Sequence, residues 1–481
     1  MGRQVKIFLV AGALGITLCK LALDLASPGA WFWIFTCAYL GLAILALRLY
    51  MAREGGLDVF SPILPSLTLL YLYAASSALN TEVTGTTIFQ DPISLNVLKT
   101  YYLACTLGVI GLGTGFLIQG TSSPNESRPQ GPSDRTLREL LLLIVPVLAL
   151  VCLPWMKEAF DFIHVKPYTE TALAGRLAKQ AMGEMQPMVE VFLIQLPSVL
   201  LMAVATCFLF RARWGVIKAL GGVVLFANLA TSALGGQRGG VALAGTVLLV
   251  FYHYRVHRLG MKGLFAIFIG GFLMTSTLSF VRSTNDFGEM LKLLTEAMKG
   301  GNTTFLAFQN STEFAVGQNL MRLIAGIHDG QTNFTWGGSV VSELLVFIPR
   351  SVFPGRPLPL GEQFVVVFYP GVREMGGGYG FFNLMEGYWA FGLVGVFGFM
   401  AIYACIVDRI YRTFLKGGMS DFKALWYGNV LYASVFMAVR SGILGVFKAV
   451  LINSIPFLLV LFLFGWLSRH RSSPVDCSNL F

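Results

Sequence analysis

The chain has 481 residues, of which 55% are hydrophobic and only 12% charged, and its mean hydropathy is +0.68. So apolar a sequence cannot clothe a soluble domain in a polar shell, and it points to a protein whose solvent is lipid. The formal charge of +10 is spread along the chain instead of run together, which excludes a nucleic-acid-binding stripe and fits basic loops on one side of a membrane.

A membrane span takes about 20 mostly apolar residues. That ruler gives twelve runs in chain order: 7–23, 30–46, 57–79, 98–117, 140–155, 189–210, 216–234, 240–254, 264–281, 384–407, 425–439 and 443–467. The N-terminal MGRQVK and its apolar run read as a retained first helix, because a second run follows at once without a small-residue cleavage site. Six of the seven cysteines fall inside apolar runs and Cys477 in the polar tail, which predicts neither a disulfide framework nor a Cys metal site. Placing the N-terminus in the cytoplasm makes every short inner connection basic, with Arg3, Lys6, Arg48, Arg53, Arg211, Arg255, Arg412 and Lys423 among the inner cations. The outer connections 24–29 and 80–97 carry no Lys or Arg, so the positive-inside rule supports this orientation, with both termini cytoplasmic.

The expected fold is an all-α polytopic membrane protein of about 12 transmembrane helices. Residues 1–281 hold nine spans and an outer loop at 157–188, residues 282–383 form a large outer segment, and residues 384–481 hold three spans and a cytoplasmic tail. Inside the outer segment, apolar spacing predicts short amphipathic helices over 287–299 and 312–327, and an interfacial one over 338–348. A proline-rich turn, PRSVFPGRPLPLG, follows. GGGYGFFNLMEGYWAFGLVG then carries the chain back into the membrane.

Arginines gather on the outer side: Arg238 in GGQRGG, Arg282, Arg322, Arg350, Arg356, Arg373, and Arg440 in VRSG. A guanidinium grips phosphate with a planar fork and tolerates partial desolvation, so the set suits a diphosphate on a lipid carrier. The alternative is that these arginines snorkel or pair with Asp286, Glu289, Glu362 and Glu374. Arg238 is the strongest candidate, because flanking glycines let backbone and guanidinium approach a ligand; Arg440 and Arg282 follow by position. His328, followed by Asp329, reads as an oriented general base or, with the greater weight, as a polar turn. Glu386 opens a span, where it can serve proton transfer or pair with an arginine. DxD, P-loop, HExxH and GxSxG patterns are absent, so no metal and no cofactor is expected and nucleotide-sugar chemistry loses its usual signature.

GGQRGG, FIPRSVFPGRPLPLG and GYGFFNLMEGYWAFGLVG, set in a plan of twelve spans with a large segment before the tenth, resemble the Wzy family of O-antigen and oligosaccharide repeat-unit polymerases, which are related to the O-antigen ligases. The resemblance implies a metal-independent GT-C-like glycosyltransferase of a bacterial inner membrane with a periplasmic active face. It would join undecaprenyl-diphosphate-linked oligosaccharides, with a chain-length regulator as a further partner and membrane lipids around it. On this resemblance Arg238, Arg282 and Arg440 hold the diphosphate, and Arg322, Arg350, Arg356 and Arg373 touch phosphate or sugar. Glu386 or His328 takes the hydroxyl proton, and Tyr379 stacks on sugar. The ligase branch carries a His-Asn pair where this chain has Phe382 and Asn383, which counts against a ligase. The other rival is a transporter of lipid-linked glycans, but polar residues gathered at one face favour one-sided chemistry over alternating access.

Overall fold

The computed structural model describes residues 2–87, 91–119, 196–234, 238–260, 262–263, 316–345, 348, 352–374, 379–416 and 418–471. Among them every regular element is helical, and the strand-like contacts are two isolated bridges, Thr86 with Pro92 and Phe381 with Ser441. The chain opens with α1 (Arg3–Leu25), α2 (Trp31–Glu54), α3 (Ile63–Thr84) and α4 (Leu95–Ile118). Gly55 (φ +76°) and Gly85 (φ +70°) end α2 and α3 in the left-handed conformation, and Ser94 caps α4 by accepting the Val97 N–H at 3.4 Å. Next come α5 (Leu196–Arg211), α6 (Gly215–Leu234), α7 (Arg238–Arg255), α8 (Val316–His328), α9 (Gly338–Leu345), α10 (Leu360–Phe368), α11 (Pro370–Glu374), α12 (Asn383–Leu415), α13 (Asp421–Leu431) and α14 (Ile443–Arg471). A π turn over Tyr432–Phe436 and a short helix over Ala438–Ser441 join α13 to α14.

Five described helical stretches are long and apolar enough to cross a membrane: Arg3–Leu25, Pro28–Glu54, Leu95–Ile118, Asn383–Leu415 and Ile443–Phe462. Parts of α3, α5 and α6 are apolar but shorter. The expected runs 140–155 and 264–281, the helix 287–299 and the loop 157–188 lie outside the described residues. The surface of α1 shows what surrounds it. Val10, Leu14, Leu18, Leu21 and Leu25 are exposed while Phe8, Cys19 and Leu23 are buried, so the helix is apolar on every side. The chain is a membrane protein.

Lipid gives helices no hydrophobic reason to associate, so packing depends on close backbone approach. Gly111 and Gly115, one helical turn apart on α4, provide it: a Cβ there would lie 2.5 Å from the Phe397 carbonyl and 2.2 Å from that of Ala401. α4 therefore presses directly on α12 and sits at the centre of a bundle with α1, α2, α3 and α8. α5, α6, α7, α13 and α14 form a second cluster around Val204, Phe251, Leu425 and Phe457.

The expected tenth span is not one straight helix. Phe391 (φ −143°, ψ 22°) and Gly392 (φ +64°, ψ −146°) break α12, and Gly387 then packs on Gly395, where a Cβ would meet the opposing carbonyl at 2.6 Å or less. The break frees the Trp389 carbonyl, which accepts the Thr335 N–H at 2.9 Å and anchors the approach to α9. A glycine-rich re-entry was legible in GYWAFGLVG; the sharp turn inside it was not.

At the end where α2, α5, α7 and α12 finish, charges are tied to one another. Asp58 accepts from the Phe60 N–H (2.9 Å), Tyr254 (2.6 Å), Tyr411 (2.9 Å) and His253 Nε2 (3.3 Å). His253 Nδ1 accepts the Leu259 N–H at 2.9 Å, which leaves the ring proton on Nε2, facing Asp58. Arg412 bridges Asp408 (2.6 Å) and Glu54 (2.8 Å), and Asp421 joins Arg211 (2.9 Å) to Arg255. This basic end binds the two helical clusters together.

Candidate active site at the end opposite the basic network

Two stretches singled out by sequence, GYGFFNLMEGYW and VRSG, meet at the other end. The Phe381 N–H donates to the Arg440 carbonyl at 2.9 Å, and Asn319 Nδ2 of α8 donates to the Gly380 carbonyl at 2.7 Å. A Cβ on Gly380 would lie 2.9 Å from Val316 and 3.6 Å from Arg440 Nε, so this seam closes only around a glycine. Gly442, at φ +73°, turns the chain into α14. Glu386 Oε2 accepts the Ile443 N–H there, and the Leu444 N–H also faces this carboxylate. Glu386 thus caps α14, where the helix N-terminus favours negative charge, and among the described residues it makes no ion pair with an arginine. The side chain is fully buried, and Oε1 has no hydrogen-bond partner.

A second carboxylate repeats the arrangement. Glu343, on α9, accepts the Leu360 N–H and so caps α10. Burial pushes its pKa up, opposed by the Leu360 N–H and by Lys448 of α14, and it lies close enough to Glu386 for their charges to interact. Asn319 Oδ1, Asn383 Oδ1 and Trp389 Nε1, all buried, also lack hydrogen-bond partners. Around the seam, then, buried polar atoms remain that the protein does not satisfy, which is unusual in a folded interior.

The other sequence candidates divide. Arg238 opens α7, and the next residue, Gly239, faces the Tyr432 hydroxyl, where a Cβ would lie 2.9 Å away. Tyr432 also feels the charge of Arg440, so the start of α7 and Arg440 flank one tyrosine. Arg322 places its guanidinium 5.4 Å from the Phe368 ring centre, and its Nε has no hydrogen-bond partner. Arg356 donates to the Ile348 carbonyl at 2.9 Å and braces the proline-rich turn. Tyr379 stands edge-on to Tyr369, with centres 4.8 Å apart. Arg373 lies on α11, described by its backbone; Arg282 and Arg350 lie outside the described residues.

His328 is exposed, 3.9 Å from Asp329, and lines a pocket of about 270 Å³ with Lys20, Lys99 and Asn96. It sits nine residues beyond Asn319 on α8, about 13 Å along the axis, so the helix carries it away from the seam. Sequence reading missed Glu343, Asp91, Tyr369 and Tyr432. A lone acid in SVVSELLVF was the available signal for Glu343, since a carboxylate on an apolar interfacial helix needs a partner.

A family model described as O-antigen polysaccharide polymerase Wzy matches residues 69–469. The chain belongs to this family. The match runs from within α3 to within α14 and takes in the whole seam, while α1 and α2 precede it. No match was found among curated proteins or among solved structures. Wzy membership implies a glycosyltransferase-like membrane enzyme of O-antigen polysaccharide synthesis.

Proposed function

We propose that this Wzy family member joins oligosaccharide repeat units carried on undecaprenyl diphosphate, at the periplasmic face of a bacterial inner membrane and without a metal ion. About twelve spans place the basic end and both termini in the cytoplasm, in keeping with the positive-inside rule. The Gly380–Arg440 seam then faces the periplasm. A hydroxyl of the acceptor sugar attacks the donor's anomeric carbon, the bond from that carbon to the diphosphate oxygen breaks, and the polyprenyl diphosphate leaves. Arg440 and Arg238 stabilise the negative charge that grows on the leaving group, in a site dry enough for guanidinium contacts to count. Glu386 takes the hydroxyl proton on Oε1, while Oε2 stays fixed by α14. A chain-length regulator is the further partner.

The observation that carries this reading is the buried Glu386 carboxylate, with one oxygen held and one free, beside the backbone of Arg440. The test is complementation. A deletion strain should carry single repeat units on its surface lipid, wild type should rebuild the polymer ladder, and Arg238→Ala at matched membrane abundance should not. Lipid-linked units accumulating on the cytoplasmic side would replace this reading with transport, and full-length chains left unattached to core would replace it with a ligase.

A further inference from the structure

A second polar cluster lies at the same end, built from the α3–α4 loop, α8 and the corner between α10 and α11. Tyr369 donates to Asp91 Oδ2 at 3.1 Å. Asp91 is fixed in turn by Thr87: its N–H donates to Thr87 Oγ1 at 3.2 Å, and its carbonyl accepts the Thr87 N–H at 2.9 Å. The Tyr379 ring meets Tyr369 at 76°. Arg322 arrives from α8 over Phe368, the residue before Tyr369, near enough for its charge to act on the Tyr369 phenol. All four side chains are part-exposed, and burial holds both phenols above their ordinary pKa, so they remain hydrogen-bond donors. The reaction as derived uses neither Asp91 nor Tyr369.

We infer that Asp91, Arg322, Tyr369 and Tyr379 form a subsite for the sugar rings of the oligosaccharide, separate from the place of the diphosphate; the inference rests on the glycan-polymerase reading. The Asp91 carboxylate decides the ligand class. It repels a diphosphate from the same place to which Arg322 would draw one. A sugar ring carries several hydroxyls, which can donate to the carboxylate and accept from the guanidinium. The tyrosine rings offer apolar faces to the C–H surface of a pyranose. Packing continues from this cluster to the seam, Tyr369 to Phe364 at 5.9 Å and Phe364 to Phe381 at 6.4 Å, so a glycan held here lies beside the loop that leads into α12, whose first turn carries Glu386. Of the two contacts the family resemblance left open for Arg322, phosphate or sugar, this assigns it to sugar.

The probe is the strain's own repeat-unit oligosaccharide, cut from its lipid by mild acid so that it carries no phosphate. Its binding to the purified full-length chain is followed by saturation-transfer NMR, beside the binding of undecaprenyl diphosphate alone. Tyr379→Ala and Asp91→Asn are each expected to weaken oligosaccharide binding about ten-fold or more and to leave the carrier's binding unchanged. Oligosaccharide binding unchanged in both variants overturns the subsite, as does a wild-type chain that binds the carrier but no oligosaccharide. If Tyr379→Ala weakens both ligands, the isosteric Asp91→Asn decides: selective loss upholds the subsite, and equal loss overturns it. A wild-type chain that rebuilds no ladder defeats the polymerase reading itself, whereas an intact ladder with a negative binding result removes the subsite alone.

Discussion

Asp58, Asp408 and Glu54 at the basic end and Glu386 at the other end are held in different ways. At the basic end both oxygens of Asp58, Asp408 and Glu54 accept hydrogen bonds from tyrosine, arginine, histidine or backbone donors. At the other end Glu386 is fully buried, yet it holds α14 with one oxygen and leaves the second without a partner, among further unsatisfied atoms on Asn319, Asn383 and Trp389. Ion pairs that satisfy one another hold helices in place. Buried groups left over are suited to a ligand, because their desolvation has already been met by the fold and a substrate atom can supply the missing bond.

The comparison can be broken at either end. The largest effect is expected from Arg440→Ala, which removes a guanidinium from the seam: polymerisation should fall about 10²–10³-fold, with the protein still inserted and monodisperse. Arg440→Lys should restore only part of the rate, since an ammonium lacks the planar fork. At the basic end Asp58→Ala strands several buried donors at once and should cost about 3 kcal/mol or more, read as lower thermal stability in detergent, with the rate per folded molecule unchanged. A seam-like loss of rate there would erase the distinction between the two ends.

Smaller effects sharpen the seam. Gly442→Ala must hold a side chain at φ +73°, with its Cβ 3.1 Å from Glu386 Oε2, and should destabilise by about 1–2 kcal/mol while also slowing turnover. The smallest effect concerns Glu343, whose pKa is raised by burial. A carboxyl that binds its proton more tightly when folded stabilises the protein most below the ordinary carboxylate range. That contribution is lost as pH rises through the raised value. Melting curves should show this slope in wild type and lack it in Glu343→Gln.

How much of this was legible in the sequence differs between the same two regions. Apolar runs of membrane length gave the helices, since hydrophobicity along one segment is a local property; α1, α2 and α4 fall where the runs lie, although α2 runs on eight residues past its apolar run, to Glu54. The basic loops were legible too, but their pairing into Asp58 and Asp421 hubs was not, because the partners of Asp58 come from residues about 200 to 350 positions away. Arg440 and Glu386 stood out in the sequence by their place at or near membrane depth, and Tyr379 came from the family resemblance. Their grouping required the parallel approach of Phe381 to Ser441, a long-range contact that no spacing encodes. His328 shows the converse: with Asp329 beside it the sequence allowed a general base or, with the greater weight, a polar turn, and the residue lies exposed at a pocket away from the seam. Residue type identifies candidates; only the fold says which of them share a site.

The proposed reaction turns on the free oxygen of Glu386, which takes the acceptor's proton. The most direct test is the turnover of purified Glu386→Gln on lipid-linked repeat units. Glutamine keeps an oxygen to cap α14 but cannot accept a proton at neutral pH. If Oε1 is the base, the melting temperature stays unchanged and turnover falls by about 10²-fold or more. Wild-type turnover in this variant would contradict it and leave Glu386 as a helix cap alone.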